Sequence, residues 1–112
     1  MRPEVARGLA TMLELRLIER EELAWCVLPR KTAERLARLL PLLARKFGES
    51  PKGGQTRIGL RLTHQDLASM IASTRESVSA TLMGLRRQKV IEVERGRIVL
   101  SDPKKLVKIA RR

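Results

Sequence analysis

Arg75, Glu76, Ser79 and Ala80 are the residues of this sequence best suited to act on another molecule, and their chemistry is hydrogen bonding. Their spacing puts them outward at the N-terminal end of one short helix. An arginine presents paired donors that match guanine O6 and N7, and a glutamate accepts from cytosine N4. A serine adds a less selective bond, and an alanine offers a methyl that suits thymine. Catalysis has less to draw on. Asp66, Glu76 and His64 are near one another in sequence, but both carboxylates read as caps at helix starts and no nucleophile is paired with a base. No enzyme is expected.

The stretch that must position those four side chains runs from Thr63 to Gln88, THQDLASMIASTRESVSATLMGLRRQ. It reads as two short helices and a tight corner, a helix-turn-helix over 63–88. Thr63-x-x-Asp66 opens the first helix as a capping box, with Leu67, Met70 and Ile71 on one face; Ser73-x-x-Glu76 reads as a second box, followed by Val78, Leu82 and Leu85 at helical spacing. Ala72-Ser73-Thr74 is the corner. Around this pair, RIGLRL alternates with the period of a strand over 57–62. A wing over 90–100 follows, in which Val90 to Val93 and Arg97 to Leu100 flank a turn containing Gly96. Asp102-Pro103 then starts a helix over 102–112 with Leu106, Val107 and Ile109 inward. The fold class is mainly α with a small antiparallel sheet: a winged helix-turn-helix domain over 29–112.

Two helical stretches precede it. Residues 32–47, TAERLARLLPLLARKF, repeat Ala33, Leu36, Leu39, Leu40, Leu43 and Phe47 in helical register, with a bend or split expected at Pro41, and GESPKGGQ reads as a surface loop. Residues 1–28 form a long dimerisation helix. Its seam of Ala6, Ala10, Leu13, Leu17, Ala24 and Val27 follows a 4-3 spacing, and Leu9 and Met12 widen the apolar surface. A small domain could not easily cover so broad a face, so a twin helix is its expected partner.

Composition agrees with a polyanion as ligand. The 112 residues carry a net charge of +12, divided as +4 over residues 1–56 and +8 over 57–112, so the half with the helix pair is the more basic. Aromatic residues are Trp25 and Phe47 alone, too few for a surface that stacks unpaired bases, which favours double-stranded DNA over RNA. Cys26 is the single cysteine and His64 the single histidine, so no metal site or cofactor is expected and a cytoplasmic setting fits. No run of apolar residues is long enough to cross a membrane.

LTHQDLASMIASTRESVSATLMGLRRQKVIEVERGRIVLSD resembles the DNA-binding signature of the Crp/Fnr transcription regulators, the cyclic-AMP receptor protein and fumarate-nitrate regulator group. FGESPKGGQTRIGLRL resembles the loop and strand leading into it, and the residues before are similar to that family's dimer helix and the helix after its hinge. The resemblance implies a homodimer that reads a two-fold-related site and regulates transcription, with RNA polymerase as a further candidate partner. It also implies phosphate contacts from Thr63, His64, Gln65, Ser73, Thr74, Arg95 and Arg97. The family's N-terminal β-roll, which binds cyclic nucleotide or another effector, has no counterpart in these residues, so no cyclic nucleotide is expected as a ligand. Arg75 and Glu76 match the family's recognition helix, which commonly runs Arg-Glu-x-x-x-Arg, whereas its last arginine is replaced by Ala80. Two other readings fit the same residues: a shortened member that pairs with a full-length relative through Met12, Leu13 and Leu17, and a nucleoid-type binder that uses charge alone.

Overall fold

The computed structural model describes residues 13–50 and 53–111. In chain order these form α1 (Arg20–Val27), α2 (Thr32–Phe47), β1 (Gly48–Glu49), β2 (Thr56–Ile58), α3 (His64–Met70), α4 (Arg75–Arg87), β3 (Ile91–Glu94), β4 (Arg97–Leu100) and α5 (Pro103–Ala110). A four-stranded antiparallel sheet in the order β1-β2-β4-β3 carries the helices, which makes the molecule a winged helix-turn-helix domain.

Helix α2 is the spine of the core. Leu36, Leu39, Leu40 and Leu43 repeat at helical spacing and are fully buried, and α5 lies along the same helix through buried Leu106 and Ile109. Pro41 does not split α2. Its missing N–H removes one intrahelical bond, but buried leucines on both sides of it, at 39, 40, 42 and 43, hold the turns in place. Val107 is another departure from the sequence reading: it is exposed, because an eight-residue helix lying on α2 turns only the face of Leu106 and Ile109 inward.

The segment expected as a loop after α2 contains a strand. Gly48 pairs with Ile58 and Glu49 with Arg57, so β1 is defined by its partner more than by its own residues. Gly48 is needed there because a Cβ would sit only 2.0 Å from the Ala44 carbonyl oxygen. β2 is shorter than the 57–62 strand expected. On the β1 side, beyond the Gly59 N–H to Phe47 carbonyl bond of 2.7 Å, the neighbouring chain is already helix, and on the other side the pairing with β4 ends at Arg57 and Val99.

The arm differs most from expectation. Residues 13–15 are helical, but the chain turns at 16–19 and α1 starts afresh, so one continuous helix over 1–28 is not what the described residues form. Leu17 N–H and Ile18 N–H bond to the Glu14 and Leu15 carbonyls, a tight turn that drops Ile18 into the core. The Glu19 N–H then donates to Glu22 Oε1 at 3.1 Å, closing the N-terminus of the new helix. Glu22 also receives Lys46 at 2.9 Å and Arg45 at 3.2 Å from the end of α2, which fastens α1 to the domain.

Candidate nucleic-acid interface

Local chemistry fixes both helices of the pair. At the start of α3, Thr63 Oγ1 accepts from Asp66 N–H at 3.0 Å and the Asp66 carboxylate accepts from Thr63 N–H at 2.9 Å, a reciprocal capping box. The box expected at Ser73 and Glu76 is not formed. The residue that caps α4 is Thr74, whose Oγ1 accepts from Ser77 N–H at 3.1 Å, while its hydroxyl donates to Ser77 Oγ at 2.9 Å. Ser73 is turned away from the cap: its Oγ lies 2.9 Å from Thr32 Oγ1 at the start of α2, and its N–H donates to the Ala68 carbonyl. The corner itself puts Ala72 in the left-handed region, with φ of 52°.

With Val78, Leu82 and Leu85 buried, α4 exposes Arg75, Glu76 and Ala80. Ser79 is different. It is half-buried, and its Oγ lies 2.6 Å from His64 Nδ1, so the hydroxyl links the first turn of α3 to the second turn of α4. Gln65 is exposed beside His64, with its side-chain amide donating to Ser69 Oγ at 3.2 Å. Sequence reasoning passed over Met83, which is exposed one turn beyond Ala80. Its position at helical spacing from Ser79 and Ala80 was the available signal.

The wing is a two-residue hairpin in which Arg95 (φ 50°) and Gly96 (φ 78°) both take positive φ, the geometry of a turn whose twist matches its strands. Arg95 is exposed at the tip. Arg97 is half-buried, and its Nε is enclosed with no partner among the described residues. Arg61, another residue the sequence did not single out, comes near this turn: its Cδ lies 3.9 Å from where a Cβ on Gly96 would be. The wing's base is braced by Arg57, which donates through Nε and Nη2 to Glu49 Oε2 at 3.1 and 2.6 Å and approaches Glu94 at 3.8 Å. That guanidinium holds the Glu49 carboxyl below its usual range.

Of the residues expected along the dimer seam, Ala6, Leu9, Ala10 and Met12 lie outside the described residues. Leu13, Leu17 and Ala24 are exposed, whereas Val27 is half-buried against its own chain's core. Cys26 is wholly buried, which pushes its thiol up to about 11. Among the described residues no three His, Cys, Asp or Glu side chains are grouped to hold a metal ion, and no helix is long and apolar enough to cross a membrane.

A capped helix pair, a second helix with one face exposed and a hairpin with Arg95 at its turn define a winged-helix nucleic-acid-binding fold. The chain belongs to the Crp-like helix-turn-helix domain family, whose model matches residues 34–109. It is 35% identical to the global nitrogen regulator of Synechococcus elongatus, over 91% of this chain and 46% of that one. It is 28% identical to a CRP-like cAMP-activated global transcriptional regulator of Mycobacterium tuberculosis, over 98% of this chain and 49% of that one. A solved CRP-family transcriptional regulator from Thermus thermophilus superposes with a TM-score of 0.73 at 26% identity, covering all of this chain and 56% of its own. The chain spans about half the length of the curated relatives it matches.

Proposed function

We propose that the chain is a sequence-specific, duplex-DNA-binding transcriptional regulator that acts as a homodimer on a two-fold-related site. The observation that carries this reading is the face of α4. Arg75, Glu76 and Ala80 are exposed at the N-terminal end of a helix whose opposite face is locked into the core, and that is the end of a recognition helix that reaches base edges. Arg75 reads guanine, Glu76 accepts from cytosine, and Ala80 makes one position less strictly read. Ser79, tied to His64, serves chiefly to hold the two helices in register.

Phosphate contacts fall to His64, Gln65 and the exposed Arg95, with Arg97 behind it. Thr63, Ser73 and Thr74 contribute differently. Their hydroxyls are engaged in caps or with Thr32, so they shape the helix starts that face the backbone, and any phosphate contact they make is shared with that role. Exposed Leu13, Leu17 and Ala24 support pairing through the arm.

Selection of binding sites from random duplex DNA tests the whole reading. Recovery of an inverted repeat with a G·C-containing step in each half is the expected result. Salt-sensitive binding without a preferred sequence would point to a charge-only binder instead, and a single unrepeated half-site would remove the homodimer.

A further inference from the structure

Arg35 ties together two places that are far apart in sequence. Its Nε donates to the Pro29 carbonyl at 2.6 Å, in the corner between α1 and α2, and its Nη1 donates to the carbonyls of Ile71 at 2.9 Å and Ala72 at 3.1 Å, in the corner between α3 and α4. Thr32, three residues earlier and so on the same side of α2, adds the 2.9 Å bond to Ser73. One helical turn therefore holds both corners. The Ile71 and Ala72 carbonyls belong to the end of α3, where intrahelical donors run out and the helix dipole favours a cation. A planar guanidinium can direct separate N–H groups at both corners, which an ammonium on a flexible stem cannot hold in one fixed geometry. Ala72, left-handed without being glycine, is kept in that conformation by what grips its neighbours.

We infer that Arg35 is a positioning residue for DNA reading: it fixes the direction of α4 relative to α1, and through the arm it sets the half-site separation that the dimer accepts. This rests on the dimeric reading above. Arg35 need not touch DNA. Its partners are backbone carbonyls, and its effect passes through the two corners.

The test uses Arg35→Lys, which keeps the charge that attracts DNA. Nitroxides at Glu21→Cys on α1 and Gln88→Cys at the end of α4 report the intrachain distance when labelled protein is diluted into unlabelled protein; buried Cys26 stays in place. The parent should give one narrow distance distribution, and Arg35→Lys a broader or shifted one with helical content retained. On the selected site, Arg35→Lys should lose about tenfold in affinity, as for one hydrogen bond from a charged group. Sites with half-sites moved apart by one base pair should change little, so the spacing preference flattens. An unchanged distance distribution overturns the proposal whatever the DNA result, and so does a broadened one with spacing preference intact. If the parent itself shows no spacing preference, the dimeric reading fails and the proposed role in half-site separation falls with it, while the distance measurement still decides whether Arg35 fixes α4 relative to α1. Should Arg35→Lys fold poorly, the same measurements are made with Ala72→Gly added, which relieves the left-handed residue without restoring the fork.

Discussion

Leucines in the helix-turn-helix and leucines in the arm have opposite fates. Leu67, Leu82 and Leu85 are buried in one core with Ile71 and Val78, whereas Leu13 is 64% exposed, Leu17 68% and Leu28 72%. The module buries these residues within its own chain and closes its helix starts with its own side chains. The arm is anchored at Ile18, Cys26 and Glu22, keeps Leu15, Leu23 and Val27 half-buried, and turns Leu13, Leu17 and Leu28 outward. A chain that holds Leu13, Leu17 and Leu28 in water has left a surface that a second molecule can cover.

That contrast can be broken most directly by truncating one leucine from each side. Leu40→Ala, in the centre of α2, should cost roughly 2 to 5 kcal/mol through lost burial and the cavity left behind. Leu17→Ala should change the stability of the isolated protomer by no more than about 0.5 kcal/mol. Denaturant unfolding at low protein concentration compares them, and a Leu17→Ala cost approaching that of Leu40→Ala would mean that the arm is core after all. The partner-seeking side of the comparison is probed by Leu13→Asp with Leu17→Asp. Two charges at a self-facing seam should yield monomers, and sedimentation that still shows a dimer would move the interface elsewhere.

Within the module the exposed arginines should separate by role. Arg75→Ala should remove roughly 1 to 3 kcal/mol of discrimination at one symmetric position in both half-sites. Arg95→Ala should weaken all duplexes alike and lower the salt slope by about one for each phosphate that it no longer neutralises. Profiling both on single-base variants of the selected site at two salt concentrations distinguishes them. Equal weakening of every variant by Arg75→Ala would take that arginine out of base reading.

How far the sequence disclosed this arrangement depended on the distance over which each determinant acts. The Thr63–Asp66 box is readable because both partners lie three residues apart and each suits its role wherever the chain goes next. Ser73 and Thr74 are equally good caps in sequence. The choice fell to Thr74 because Ser73 is claimed by Thr32, 41 residues away. The same limit hid Arg35, whose acceptors are backbone carbonyls with no sequence signature, and β1, whose two residues are a strand only because β2 lies beside them. In the arm, the 4-3 repeat describes apolar spacing but not helix continuity. Burial of Ile18 and the Glu19–Glu22 closure favour a break that no periodicity reveals.

The attachment of the arm has a pH signature. The Lys46 ammonium, aided by the Glu19 N–H, holds the Glu22 carboxyl below its ordinary value of 4.5. A carboxyl depressed by folding contributes stability above its unfolded value, and that contribution is lost as pH falls through the lower, folded value. Glu22→Gln should therefore lower the melting temperature slightly at neutral pH and have less effect on acidification to well below 4.5, with salt reducing the difference because the pair is solvent-accessible. An effect of Glu22→Gln that stays constant across this window would show that the ion pair does not hold the arm.

The smallest expected change lies at the far end of the recognition helix. After Arg87, Val90 N–H bonds back to the Leu85 carbonyl and Lys89 N–H to that of Arg86, a pairing that closes a helix by placing the intervening residue in the left-handed region. Lys89 occupies that position with φ of 59° and an exposed side chain, although a glycine would adopt it without a Cβ clash. Left-handed backbone costs an L-residue about 1 to 2 kcal/mol. Against that relief, glycine makes the unfolded chain freer by about 0.4 to 1 kcal/mol. Lys89→Gly should therefore stabilise the protein by a margin on the order of 0.5 kcal/mol, seen as a higher denaturant midpoint at unchanged slope. The arm should be indifferent to it, so dimerisation should not move. A lysine that reached DNA phosphate from this end of α4 would reveal itself in the same variant as a reduced salt slope, without loss of base preference. If the midpoint fell instead, the side chain of Lys89 would be holding the helix end by contacts that outweigh its backbone strain.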